Sequence, residues 1–248
     1  MKEPILNPKI AGVLLLLGGL SAFVILLIIG PISQDLSYHN LSDSTPHLGV
    51  PNFWNVLSNV PFFFVGMWGI GNLKILANTR LQYFVFFSGI ALVSLGSGYY
   101  HFAPNSATLI WDRLPMTIAF MAIFSIVISE YISYQLGRKM LFTLVLAGVG
   151  SVVYWYFFDD LRWYGMIQFF PLFAIPVILL SYKADYTLAQ GYWYLILGYV
   201  VAKVFETFDA QIHEALGFVS GHSLKHLAAA GGLYALLDCY IKRKFITD

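Results

Sequence analysis

The stretch LQYFVFFSGIALVSLGSGYYHF, residues 81–102, runs for 22 positions without an Asp, Glu, Lys or Arg. A bilayer core of about 30 Å is crossed by about 20 such residues in a helix, so the stretch reads as a membrane span. Working outward in windows of that length gives eight segments, approximately Lys9–Gly30, Trp54–Ile75, Leu81–Phe102, Thr108–Tyr131, Lys139–Phe157, Tyr164–Tyr182, Gly191–Ala210 and His222–Ile241. The expected fold is an all-α integral membrane protein. Segment Lys9–Gly30 is read as a retained helix. Its apolar run exceeds the usual signal-peptide core of about 7–15 residues, and Gly30-Pro31-Ile32 is a poor cleavage site. The one long polar connection, Pro31–Phe53, contains Asp35, His39, Asp43 and His47; it is too short for a domain and suits a cap over a site. No internal repeat divides the chain, so residues 1–248 form a single polytopic domain.

Composition agrees: 58% of residues are hydrophobic and 11% charged, against about 25% charged in a typical soluble domain. A formal charge of +1 leaves no basic patch large enough for nucleic acid. One cysteine, Cys239, excludes an internal disulfide framework and a multi-cysteine zinc site. The cations are unevenly placed. Lys2, Lys9, Lys74, Arg80, Arg138, Lys139, Lys183, Lys242, Arg243 and Lys244 fall on the side of the N-terminus, while only Arg113 and Arg162 fall on the other. Positive charge favours the inside, so both termini are expected in the cytoplasm. All six histidines (His39, His47, His101, His213, His222 and His226) then fall on the extracytoplasmic side.

Their spacing selects among them. His222-Ser-Leu-Lys-His226 places two imidazoles one turn apart on one helix face. Two histidines at a helix start are also common as interfacial or hydrogen-bonded residues. Ser97-Gly-Tyr-Tyr-His101 has the same spacing, and Asp112 follows eleven residues after His101, across the turn Ala103-Pro104-Asn105-Ser106. His101 and Asp112 thus lie at one depth on adjacent helices. An intramembrane carboxylate is costly and marks function by default, although Asp112 can also pair with Arg113 or cap its helix. Three histidines and an open position suit a catalytic zinc. A carboxylate beside the metal can take a proton from water, and a hydroxyl can donate to an oxyanion. These residue types fit hydrolysis of an amide or ester. Paired histidines in helices also ligate haem, which would leave Ser97 and Asp112 without a role.

Other polar residues have plainer readings. Asn55, Ser58 and Asn59 share a face and suit bonds to neighbouring helices or a place near a lipid headgroup. Lys203, Glu206 and Asp209 share a helix face, where Lys203 and Glu206 suit an internal pair and Asp209 is placed to support a ligand histidine. His213 is expected in a loop, Lys225 to reach the surface, and Gly96 and Gly98 to permit close helix packing. Trp155, Trp163 and Tyr164 read as part of an interfacial belt.

Ser97-x-x-x-His101, Asp112, His222-x-x-x-His226 and the stretch Pro51-Asn-Phe-Trp-Asn-Val-Leu-Ser-Asn59 together resemble the alkaline ceramidases, relatives of the adiponectin-receptor group. The resemblance covers about residues 52–241. It implies a seven-transmembrane-helix bundle, with 9–30 as one extra N-terminal transmembrane helix. It also implies zinc held by His101, His222 and His226, Asp112 as general base and then proton donor to the leaving amine, and Ser97 at the oxyanion. The implied substrate is a ceramide-like membrane lipid, cleaved at its N-acyl amide to a sphingoid base and a fatty acid. Within the wider group a lipid receptor or sensor is the alternative. Eukaryotic members carry a glutamate two residues before the Trp of this stretch and an acidic segment that binds calcium. Here that position is Asn52, and only Asp35 and Asp43 are acidic upstream, too few carboxylates for a calcium site to be expected.

Overall fold

The computed structural model describes residues 4–76 and 80–246; Lys2, counted above among the cations, lies outside them. The described residues form helices and no strand. They are α1 (Pro8–Ile28), α2 (Phe53–Leu57), α3 (Val60–Gly71), α4 (Arg80–Phe102), α5 (Ser106–Tyr131), α6 (Tyr134–Phe158), α7 (Arg162–Ser181), α8 (Gln190–Thr207), α9 (Asp209–Leu216) and α10 (Gly221–Lys242), with a short 3₁₀ turn at Leu36–His39. Among the described residues, six helical stretches are long and apolar enough to cross a membrane: α1, Phe53–Gly71, α4, α5, α6 and α7. The sequence reading also counted α8 and α10. Both are long, but Lys203 and Glu206 dilute the apolar character of α8, as His222, Lys225 and His226 do that of α10.

The second expected segment is broken rather than continuous. Helix α2 ends at Leu57, capped by Ser58, and α3 restarts after Asn59 with Pro61 in its first turn, where a missing N–H costs nothing. Two side chains take up the Asn55 carbonyl at the break: Asn59 Nδ2 donates to Asn55 O (2.8 Å) and the Ser58 hydroxyl to the same oxygen (3.2 Å). Helix α5 is the centre of the bundle, with 72% of its most apolar window buried, against 6% for α1. Helices α4 and α6 flank α5, and α8 pairs with α10. Gly96 sets the α4–α5 approach, because a Cβ there would lie 1.8 Å from the Trp111 carbonyl oxygen. Gly98 does not share that role, having nothing within 4 Å of such a Cβ.

Helix α1 lies on the outside against α7, with Phe23 and Trp163 rings 6.0 Å apart. Trp163 thus packs against the added helix, and Trp155 is buried rather than interfacial. A polar clamp fixes the far end of α1. Arg162 Nη1 donates to Leu26 O (2.8 Å) and Ile29 O (2.6 Å), carbonyls that the helix end leaves free. Asp160 holds that guanidinium and accepts the Ile32 N–H (3.3 Å). The Arg162 side chain, helped by the backbone N–H groups of Arg162 and Ile32, holds the Asp160 carboxyl below its ordinary value. A depressed carboxyl stabilises the fold above the ordinary carboxylate range and loses that contribution as pH falls through the lowered value. Limited proteolysis after Ile29 is therefore expected to accelerate on acidification below about pH 4. Asp160→Asn is expected to show the faster cleavage already at neutral pH.

At the opposite end of α5, Glu130 and Arg243 form an ion pair (2.7 Å) with each side chain only 5% exposed. Tyr83 and Tyr192 (2.7 Å) both donate to the Glu130 carboxylate. Arg243, counted above among the cations on the side of the N-terminus, is thus tied into the bundle.

Candidate active site

His101 closes α4, and His222 and His226 open α10. One nitrogen from each of these buried rings lies within 4.8 Å of the others. Ring centroids are 4.7 Å apart for His101–His222 and 5.0 Å for His222–His226 and His101–His226. His101 Nε2 and His222 Nε2 are 3.2 Å apart, too close for a planar macrocycle between two axial ligands.

Nearby segments of the chain brace the backbone of His101 and His222 and the ring of His226. Gly221 lets the start of α10 press against α8, since a Cβ there would lie 2.2 Å from Phe205 O. The His222 backbone N–H donates to Asp209 Oδ1 (2.6 Å), whose other oxygen accepts from Ser42 Oγ (2.6 Å). Asp209 thus supports the helix start that carries His222 rather than the imidazole itself. Ser58 Oγ bonds His226 Nδ1 (2.7 Å), which leaves Nε2 of that ring free. Asn52, in the left-handed region at φ 47°, donates its amide to His101 O (2.8 Å). Asparagine tolerates that backbone better than most residues.

The donor set fits a metal ion. Buried polar atoms are nearly always paired, yet these imidazoles converge mainly on one another. Three nitrogen donors suit zinc and several other transition metals. Asp112 on α5 and Ser97 on α4 face the same cavity, about 400 Å³ in volume, with the Ser97 hydroxyl beside the Asp112 carboxylate. No ion pair joins Asp112 to Arg113 among the described residues, because successive helix positions point different ways. Ser97, His101, Asp112, His222 and His226 all line this cavity. From there the cavity runs between apolar side chains such as Phe86, Ile90, Ile123, Ile175 and Leu195.

The other histidines lie elsewhere. His39 bridges Tyr100 Oη and Ser106 Oγ, each at 3.1 Å. Burial, with the nearby Arg113 charge, holds this imidazole below its ordinary value, so it is neutral at pH 7. His47 packs on Phe53 and Trp54. His213 belongs to helix α9 rather than a loop, and it is half-buried rather than solvated. Lys225 is drawn inward: its Nζ meets Glu206 Oε1 at 2.8 Å, and Glu206 also pairs with Lys203. All three line the cavity. Tyr38 does so too, which places the connection Pro31–Phe53 over the site. Sequence reasoning missed Ser58 as the partner of His226, and only its place on a polar face hinted at such a contact.

These features define a polytopic-type helical protein with a buried three-histidine centre at one end of an apolar cavity. The chain belongs to the ceramidase family, whose family model matches residues 49–241. No curated protein compared with it matches. Membership makes the chain an amide hydrolase whose substrate is a ceramide-type lipid.

Proposed function

We propose that the protein is a zinc-dependent intramembrane ceramidase that cleaves the N-acyl amide of a ceramide-like lipid. The observation that carries this reading is the meeting of three imidazoles with the Ser97–Asp112 pair in one cavity. His101, His222 and His226 would hold the ion, and Ser58 fixes the tautomer of His226 through Nδ1. Zinc held there supplies Lewis-acid polarisation of a carbonyl and a water that ionises near neutral pH.

The remaining chemistry belongs to the chain. Asp112 takes the proton of the attacking water on a carboxylate oxygen and passes it to the leaving nitrogen. Ser97 first aims that carboxylate. Once protonated, Asp112 is a weaker acceptor than the carboxylate, and the Ser97 hydroxyl turns to the carbonyl oxygen where charge develops. The acyl and sphingoid chains lie along the apolar wall, entering laterally between helices. In this reading α8 and α10 also span the bilayer, giving seven core helices plus α1. Both termini are cytoplasmic and the site faces the extracytoplasmic side.

Purified protein is expected to release fatty acid from a short-chain ceramide, to stop when a chelator strips the metal, and to recover with zinc. Bound metal without turnover of any N-acyl lipid would instead support a lipid sensor. Ser58→Ala is expected to weaken zinc binding by about 10–100-fold, the usual effect of losing a ligand's supporting hydrogen bond. Competition with a calibrated chelator reads this directly.

A further inference from the structure

Arg113 follows Asp112 on α5 but points to another part of the cavity wall. It is only 6% exposed. Its guanidinium stacks on Trp155 (4.2 Å) and Tyr164 (4.7 Å), and Nη2 donates to Gln34 Oε1 (2.7 Å). Nη1 is buried without a hydrogen-bond partner. Among the described residues no carboxylate pairs with it. The other two cavity cations, Lys203 and Lys225, share Glu206. Arg113 is thus a buried cation whose direct contacts are neutral and whose one nearby negative charge, Asp112, acts on it only from beyond ion-pair distance, an arrangement that a closer counter-charge would stabilise.

A clamped guanidinium with a free edge matches the paired oxygens of a phosphate or carboxylate. Its position says which part of a lipid it meets. Gln34 and Tyr38, 5.9 Å from the guanidinium, come from the polar connection over the site, while the apolar wall runs away from it. A lipid with its tails along that wall presents its head to Arg113.

We propose that Arg113 is an anion subsite that pairs with an anionic oxygen group of the lipid, a phosphate on the headgroup or the carboxylate of the released acyl chain. The inference rests on the ceramidase reading and deepens it, by adding to the lipid site a point that binds an anionic oxygen group.

The test uses a short-chain N-acyl sphingosine and its 1-phosphate, with the full-length protein and its Arg113→Gln and Arg113→Lys variants. Charged hydrogen bonds contribute about 1.5–3 kcal/mol, so wild type is expected to favour the phosphate by about tenfold or more in kcat/KM. Arg113→Gln should bring the two lipids within about twofold, and Arg113→Lys, which keeps the charge, should restore part of the preference. Thermal shift of detergent-solubilised, metal-free protein by the same lipids reads the preference without turnover. Failure of hydrolysis would therefore not hide it. Octanoate inhibition separates the sources. A preference for the phosphate lipid that Arg113→Gln abolishes assigns the headgroup, whereas octanoate inhibition that the variant relieves, with no headgroup preference, assigns the released acid. If Arg113→Gln changes neither the lipid ratio nor octanoate inhibition, the subsite is refuted.

Discussion

His222→Ala is expected to abolish metal binding and hydrolysis together while leaving the bundle folded. The site would fall to two imidazoles, His101 and His226, which cannot complete a three-ligand catalytic centre. Losing a ligand costs more than losing the bond that orients one, so metal affinity should fall by more than about 100-fold. The helix start survives the change. The contact from Asp209 goes to the backbone N–H at position 222, and Ser220 Oγ accepts from Ser223 N–H; neither needs the imidazole. Circular dichroism in detergent should match wild type. Elemental analysis and fatty-acid release on the same preparation read the other two quantities. Retained activity would show that the histidine cluster is structural.

Asp112→Asn is expected to separate the two quantities that His222→Ala moves together. Asparagine keeps the shape and can still bond Ser97, but it cannot accept the proton of the attacking water. A positioned general base contributes about 10²–10⁴-fold, so kcat should fall by that factor. Metal content should stay at the wild-type level, because Asp112 is not among the three converging nitrogen donors. A fall in zinc content equal to the fall in rate would make Asp112 a ligand instead. A KM change with kcat preserved would make it a binding residue.

Much of this arrangement is legible in the residues themselves. The charge-free run 81–102 identifies a span because lipid imposes length and polarity on every helix that crosses it. Four of the site's side chains follow from helical periodicity, since His222 and His226 share a face and Ser97 lies one turn before His101. Asp112 follows from the short turn that returns the chain at similar depth. What stayed hidden depends on contacts between distant segments. Ser58 meets His226 only because α2 breaks before Pro61, and the break in turn relies on Asn55 and Asn59. Lys225 looked destined for the surface until α8 brought Glu206 beside it. The ion pair of Glu130 with Arg243 joins residues 113 positions apart, which no local pattern records. In the sequence Arg113 shows only as a topological charge and a neighbour of Asp112. Its aromatic clamp comes from Trp155 and Tyr164 on α6 and α7.

The most direct test of the account is zinc content measured beside ceramide hydrolysis, in wild type and in Asp112→Ala. The prediction is about one zinc per chain in both proteins, with fatty-acid release from ceramide in wild type alone. Wild-type protein that hydrolyses ceramide with no bound zinc would contradict it.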